Sequence, residues 1–214
     1  MKTSRILATA TIAAVSVALT GCGSKGEAGG DAGASSGTLT IGASISLTGK
    51  TAREGVLTQE GYQLCQEKVN AKGGVKVGDK MLKLDIKYQD DTSKPDTAAS
   101  LVDQFNDQGI KLILGSYGSA NTEAQAAVIE RNNQVMVDSS GADNNIFAKG
   151  YKRTFGVLSP ATEYAASIVK AVAELASPKP TSVVVLSADD GFSKRAADGA
   201  AKAAKDLGFT VLET

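Results

Sequence analysis

The side chains that could carry out chemistry are few in this 214-residue chain, because it contains no histidine. The missing imidazole excludes Ser-His-Asp and Cys-His nucleophilic pairs, histidine metal ligands and histidine acid–base catalysis. Two pairs of adjacent carboxylates remain, Asp90 with Asp91 and Asp189 with Asp190. Adjacent residues of a strand point to opposite faces, so these pairs are typical of loop caps rather than of a shared acid–base site. We therefore predict a protein that is not an enzyme and that holds no metal and no cofactor.

Cys22 offers a different chemistry, the alkylation of its thiol. It ends the sequence Leu-Thr-Gly-Cys at residues 19–22, which follows an uncharged apolar run and the basic residues Lys2 and Arg5. This order is typical of a secretory signal, and the run is shorter than the roughly 20 residues of a spanning helix. The four residues match the lipobox of bacterial lipoproteins, in which the cysteine receives a diacylglyceryl group. We predict a signal peptide over residues 1–21 and a membrane anchor at Cys22. An ordinary secreted protein is the alternative.

The chain after Cys22 supports this interpretation. Residues 22–37 are rich in glycine and serine and contain no large apolar side chain, which predicts a flexible tether. Removal of residues 1–21 leaves 23 − 2 = 21 basic against 23 acidic residues. This balance gives no basic patch for nucleic acid. Cys65 then has no intrachain partner, and its apolar position in a helical pattern predicts a buried, inert thiol.

From residue 38 onward, strand and helix patterns alternate. Strands are predicted at residues 39–43, 82–88, 110–114 and 135–137, with helices between them at 55–71, 95–109 and 119–132. Ser119 is predicted to be the N-cap of the third helix. The alternation favours an α/β fold, a doubly wound parallel sheet with helices on both faces. Residues 38–150 would form this first lobe.

A second α/β unit is predicted after a hinge near residues 149–160. It would span residues 151–214, with a crossover strand at 151–157, a buried strand at 181–186 and a last strand at 209–212; its helices would cover 160–176 and 192–207. Apart from the crossover strand, the unit has about two strands and two helices, and independent stability usually needs three or more strands with a covered face. We therefore expect the second lobe to be incomplete, as in a fragment or a truncated reading frame.

Small polar residues follow three strands of the first lobe. Residues 115–119 read Gly-Ser-Tyr-Gly-Ser, residues 138–143 read Asp-Ser-Ser-Gly-Ala-Asp, and residues 44–49 are similarly polar. Ligands of open parallel sheets bind outside the carboxyl ends of the strands. Helix N-terminal amides, with the hydroxyls of Ser116 and Ser119, suit a carboxylate. For each loop alone an ordinary turn is the alternative, and the glycine spacing does not match a nucleotide-binding motif.

In their order and spacing, these segments resemble the N-terminal portion of the type I periplasmic binding proteins that serve ABC transporters, nearest to the leucine/isoleucine/valine-binding branch. The matching segments are residues 45–49, 61–64, 69–74, 88–91, 115–119, 140–142 and 189–193. The resemblance implies a two-lobed fold with Rossmann-like lobes, truncated here in the second lobe. It also implies hinge closure on a small-molecule ligand and docking on a membrane permease.

The resemblance assigns ligand contacts to two loops of the first lobe. Ser119 matches the residue whose hydroxyl and amide hold the α-carboxylate of amino-acid ligands, and Tyr117 and Gly118 precede it in the same loop. Gly141 and Ala142 match the loop that offers backbone groups to the ligand.

Three further residues complete the expected site. Phe192 matches an aromatic residue of the second lobe that closes over the ligand. Asp143 stands where the amino-acid binders usually carry threonine, and Glu54 stands near a position where some members place an aromatic residue. An aspartate would repel a carboxylate but could pair with an ammonium group. These two departures weaken the assignment to leucine, isoleucine or valine and leave open a different amino acid, an amide or another small polar metabolite as the expected ligand.

The expected function is that of a lipid-anchored substrate-binding protein of an ABC importer, located in the cell envelope and facing the periplasm or the exterior. It would capture its solute between two lobes. A ligand-sensing module of the same fold, reporting to a signalling partner, is one alternative. A truncated, non-functional remnant is another. The lipobox with its short tether favours transport over sensing.

Overall fold

The structure is a computed structural model that describes residues 37–213. The predicted signal peptide, lipid anchor and nearly all of the tether fall in residues 1–36 and lie outside the described residues. The strands are β1 (Gly37–Ile45), β2 (Val75–Val77), β3 (Lys80–Asp90), β4 (Leu112–Leu114), β5 (Val135–Asp138), β6 (Thr154–Gly156), β7 (Ser182–Val184) and β8 (Thr210–Glu213). The helices are α1 (Ala52–Ala71), α2 (Pro95–Asp107), α3 (Ser119–Arg131), α4 (Asn144–Ala148), α5 (Ala161–Leu175) and α6 (Gly191–Asp206).

The strands form a six-stranded sheet in the order β2-β3-β1-β4-β5-β6 and a two-stranded sheet of β7 and β8. All pairs are parallel except β2 with β3, which form an antiparallel hairpin that the sequence analysis did not predict. Strand β3 pairs with one side of β1, and the chain then crosses over so that β4 pairs with the other side. The strand order therefore reverses between β1 and β4, which creates a crevice at their carboxyl ends. The predicted α/β class is confirmed.

The main core lies between the six-stranded sheet and helices α2 to α4. Its largest fully buried apolar side chains include Phe105, Ile129, Met136 and Ile146. Gly42 of β1 lies directly under the Phe105 ring, where a Cβ atom would come within 2.8 Å of ring carbons. The absence of a side chain in β1 therefore lets α2 pack closely on the sheet.

A fully buried carboxylate joins the strands at the reversal point. Asp91 follows β3 directly, and its oxygens accept hydrogen bonds from Ser46 Oγ at 2.7 Å, Ser116 Oγ at 2.5 Å and Ser44 Oγ at 3.4 Å. The backbone amide of Ser93 donates a further bond at 2.9 Å. One carboxylate thus fixes the ends of β1, β3 and β4 relative to one another.

Several sequence-based expectations are wrong. Cys65 is exposed, because Tyr62, Gln66 and Asn70 set the inward face of α1 by hydrogen bonding to the sheet or its loops. Ser119 is not the N-cap of α3; Gly118 is the N-cap, with a φ of 88° that suits glycine. The five-residue helix α4 was also missed.

The predicted strands of the second unit differ more. The strand predicted at residues 181–186 is shorter and not buried, since Val184 is 53% and Leu186 is 86% exposed. Helices α5 and α6 pack against each other and leave these side chains uncovered. Strand β6 pairs with β5, so the change from one sheet to the other falls between Gly156 and Ser182. A division into lobes at residue 150 stays a prediction.

Asp91→Ala is expected to lower the free energy of unfolding by about 2–4 kcal/mol, because it leaves the buried hydroxyls of Ser46 and Ser116 without their acceptor. Asp85→Ala is the control, since Asp85 is an exposed carboxylate of β3, the strand that Asp91 follows. That change is expected to stay within about 0.5 kcal/mol. Urea denaturation measures both, and equal midpoints for the two variants would contradict the role of Asp91.

Candidate functional site

A cavity of about 510 Å³ opens between the first half of α1 and the loops that follow β4 and β5. Its lining residues are Glu54, Leu57, Thr58, Gly61, Tyr62, Tyr117, Ser139 and Ser140. Gly55 brings α1 close to this edge, because a Cβ atom there would lie 1.8 Å from the carbonyl oxygen of Ser46. The volume falls in the range of small-molecule sites.

Tyr62 forms the hydrogen-bonded wall of the cavity. Its hydroxyl donates to the carbonyl oxygen of Gly115 at 2.9 Å and lies 2.7 Å from Ser139 Oγ. Burial raises the pKa of Tyr62 to about 12, and the nearby charge of Asp138 acts in the same direction. Tyr62 is therefore a neutral phenol that links α1 to both loops.

Asp138 shapes the loop that carries the two serines of the wall. It is fully buried, and its Oδ1 accepts hydrogen bonds from the amides of Ser140 at 3.1 Å and Gly141 at 2.9 Å. Its Oδ2 has no partner among the residues that the structure describes. Burial raises the pKa of the Asp138 carboxyl above its ordinary value. Gly141 packs against Thr122, where a Cβ atom would come within 2.5 Å of the threonine side chain.

Asp90 fixes the loop after β1 in a similar way. It accepts hydrogen bonds from the amides of Leu47, Thr48 and Thr92 and from the Thr48 hydroxyl, at 2.6–3.1 Å. Partial burial acts to raise the pKa of Asp90, but these hydrogen bonds together lower it. The prediction that Asp90 and Asp91 are loop caps is confirmed.

Ser119 and Asp143 lie together, as expected of neighbouring loops. The amide of Asp143 donates to Ser119 Oγ at 3.1 Å, and Asp143 Oδ1 accepts from the amide of Asn145 at 2.9 Å as the N-cap of α4. Asp143 is only 3% exposed. Arg195 Nε of α6 lies 3.9 Å from Oδ1, and a Cβ atom at Gly191 would lie 2.1 Å from Oδ2. The Asp143 carboxylate therefore joins the first sheet's loops to the start of α6.

The structure places only some of the predicted site residues in the lining of the cavity. Glu54 and Tyr117 line the cavity, whereas Ser119, Gly141, Ala142 and Asp143 are not among its lining residues. Phe192 packs edge-to-face on Tyr164, with ring centroids 5.4 Å apart. Gly118 provides the turn before α3. Ser116, expected to face a ligand carboxylate, instead donates its hydroxyl to buried Asp91, so this expectation is wrong.

Sequence reasoning missed several lining residues, of which Tyr62, Ser139 and Thr58 are the clearest. Ser139 belongs to a loop that the sequence did single out. Tyr62 and Thr58 sit in a helix whose pattern gives no sign that they face a cavity. None of the helices described over residues 37–213 combines the length and the apolar character that a membrane span requires. Among the same residues, no group of three or more carboxylate or cysteine side chains is arranged to hold a metal ion.

A doubly wound sheet whose loops wall a cavity at the carboxyl ends of its strands is typical of ligand-binding proteins of the α/β class. The sequence profile of the periplasmic binding protein family matches residues 38–214, and the chain belongs to that family. The resemblance noted from the sequence is thereby confirmed.

Three similar proteins illustrate the relationship. The Leu/Ile/Val-binding protein of Citrobacter freundii is 26% identical over 165 residues, 76% of this chain and 44% of that protein. The branched-chain amino acid transporter substrate-binding protein LivJ of Streptococcus pneumoniae, solved with isoleucine, has a TM-score of 0.66 and 22% identity, covering 82% of this chain and 48% of that one. A solute-binding protein of R. palustris in complex with 4-hydroxybenzoate has a TM-score of 0.67 and 20% identity, covering 82% and 46%.

These comparisons show the type I periplasmic binding protein fold, and this chain spans less than half of each relative's length. The relatives are solute-binding proteins rather than enzymes, which confirms that prediction.

Asp138 and Asp90 are expected to change the pH dependence of stability in opposite directions. Burial raises the folded-state pKa of Asp138, so its contribution to stability is largest below the ordinary pKa of about 3.9 and is lost as pH rises through the folded value. The folded-state pKa of Asp90 is lowered, so its contribution is present above the ordinary pKa and is lost as pH falls through the folded value.

Urea denaturation between acid and neutral pH measures both effects. Subtracting the Asp138→Asn profile from that of the parent protein should give a difference that falls with pH, and the same subtraction for Asp90→Asn should give one that rises. Asp85→Asn, which changes an exposed carboxylate of β3, controls for the lost charge. Differences of the same sign would show that one of the two environments is described wrongly.

Proposed function

We propose that this chain is part of a lipid-anchored substrate-binding protein of an ABC importer, which captures an amino acid or a similar small polar solute. The observation that carries the proposal is the cavity at the carboxyl ends of the strands, in a chain of the periplasmic binding protein family. Strand reversal creates such a crevice in doubly wound sheets generally, and its loops can vary without disturbing the sheet.

The printed names of relatives support the solute class. The Citrobacter freundii protein is named for leucine, isoleucine and valine, and the Streptococcus pneumoniae structure contains isoleucine. The R. palustris structure contains an aromatic acid instead. The family fold therefore accepts more than one ligand chemistry, and the lining of this chain's own cavity must decide its solute.

Capture between two lobes is part of the proposal. Residues 38–150 and 151–214 would supply facing surfaces and close by a hinge near residues 149–160. Asp143 supports a contact between the two surfaces, since it caps α4 and lies beside Gly191 and Arg195 of α6. Phe192, in the first turn of α6, is the proposed closing aromatic residue.

Ser119 is the proposed ligand for a solute carboxylate. Its oxygen accepts from the amide of Asp143, so its own hydroxyl hydrogen remains available for donation to a ligand. The adjacent backbone at Gly141 and Ala142 would add contacts from the loop after β5. The positive end of the α3 dipole favours an anionic group at the same place.

Solute binding is expected to raise the melting temperature of the protein. A ligand present at 100 times its dissociation constant adds about 2.7 kcal/mol of stability. A thermal-shift screen of amino acids, amides and small organic acids should therefore reveal one stabilising class. Ser119→Ala should weaken the binding of carboxylate solutes about tenfold, because it removes one charge-assisted hydrogen bond.

Ser100→Ala is the control for this screen, since Ser100 is an exposed serine of α2 away from the strand ends. Its binding should equal that of the parent protein. A folded protein that responds to no solute would reject the proposed function, and equal binding by both serine variants would remove Ser119 from the site.

Lipid attachment is expected at Cys22 and not at Cys65, since only Cys22 ends the lipobox sequence. Cells fed with radiolabelled or clickable palmitate should label the parent protein and place it in the membrane fraction. Cys22→Ser should abolish both, and Cys65→Ser should change neither. Label retained in Cys22→Ser, or lost in Cys65→Ser, would contradict the anchor.

A further inference from the structure

The cavity wall presents hydrogen-bond acceptors rather than donors. The carbonyl oxygen of Gly115 can only accept, so the single hydroxyl hydrogen of Tyr62 points to it. Ser139 must then donate to Tyr62 across their 2.7 Å contact. Ser140 Oγ lies 3.4 Å from Ser139 Oγ and is the donor of any bond between them, because the Ser139 hydrogen is already used. The hydrogens of Tyr62 and Ser139 therefore point into the wall.

Thr58 adds to the same pattern. Its hydroxyl donates to the backbone carbonyl of Glu54 at 2.9 Å, which leaves only its lone pairs for the cavity. Of the five hydroxyl groups that line the cavity, those of Tyr62, Ser139 and Thr58 have their hydrogens engaged by described residues, whereas Ser140 has only the long contact with Ser139. A solute that fits this wall must bring most of the donors itself.

The charge of the lining is negative and uncompensated. Glu54 is the one ionisable carboxylate among the lining residues, and no lysine or arginine accompanies it. Over residues 37–213 its carboxylate takes part in no ion pair or hydrogen bond. The nearest basic residues in the sequence, Lys50 and Arg53, are exposed and do not line the cavity. The buried carboxyl of Asp138, next to Ser139 in the chain, cannot compensate the negative charge of Glu54.

From this lining we infer that the cavity binds a cationic nitrogen of the solute, an ammonium or amidinium group, with Glu54 as its counter-ion. The acceptor oxygens of Ser140 and Thr58 are placed to take further N–H donors. Tyr62 and Tyr117 line the same cavity, and an aromatic face attracts a cation within about 6 Å of the ring. The inference rests on the proposed solute-binding function and specifies the chemistry of its ligand.

Glu54 also has a structural explanation, since an acidic residue in the first turn of a helix is favourable beside the positive end of the dipole. That role would change the stability of α1 but would not distinguish a cationic solute from a neutral one. Discrimination between matched ligands is therefore the decisive readout.

The test uses isosteric probes that differ in charge, 1,4-diaminobutane against 1,4-butanediol and 1-aminobutane against 1-butanol. Isothermal titration on the full chain should give at least tenfold tighter binding for the cationic member of a pair, as one charge-assisted hydrogen bond would supply. Glu54→Gln should remove that preference. Glu60→Gln is the matched control, since Glu60 is exposed on the same helix and lies outside the cavity lining.

Three outcomes are distinguishable. A cationic preference lost in Glu54→Gln and kept in Glu60→Gln supports the inference. Binding of neutral or anionic solutes that is indifferent to Glu54 overturns the inference but leaves the proposed function standing. A folded protein that binds no solute of any charge overturns both. Because the paired ligands are compared on the parent protein first, a Glu54 variant that fails to fold still leaves the cationic preference measurable.

Discussion

The buried carboxylate of Asp91 is the interaction on which the rest of the structure depends. A carboxylate taken out of water is costly unless its oxygens are fully hydrogen-bonded, and here the hydroxyls of Ser46 and Ser116 and the amide of Ser93 supply the partners. These donors come from the ends of three different strands. Because losing these hydrogen bonds would leave a buried carboxylate without partners, they hold the ends of β1, β3 and β4 together where the strand order reverses. They also fix the floor of the crevice at that edge.

The wall above this floor is built by the same means. Asp138 holds the loop after β5 through two backbone amides, and Tyr62 connects α1 to that loop and to Gly115. Both groups form hydrogen bonds to backbone atoms of the loops that they hold. Rigid, internally satisfied walls keep a binding site preorganised and lower the entropic cost of capture. At the proposed solute site, the carboxylate of Glu54 and the hydroxyl of Tyr117 have no hydrogen-bond partner among the described residues.

Much of the fold could be predicted from the sequence, because alternating patterns determine parallel α/β structure. The strands at residues 82–88 and 135–137 and the helix that begins at Pro95 were placed within a few residues. The roles of individual hydroxyls could not be predicted. Ser116 and Ser119 look equivalent in the sequence, yet pairing of β1 with β4 turns one toward Asp91 and leaves the other beside Asp143. The prediction that Cys65 is buried was wrong for a related reason, since polar residues of α1 face the sheet.

Hydrogen–deuterium exchange with and without a stabilising solute is the measurement that tests the central claim most directly. The claim is that the solute binds at the carboxyl ends of the strands, in the cavity walled by Tyr62, Tyr117 and Ser139. Solute should slow exchange in the first half of α1 and in the loops after β4 and β5, while the β2–β3 hairpin at the sheet's edge stays unchanged. Protection confined to the hairpin or to α5, with none around the cavity, would contradict it.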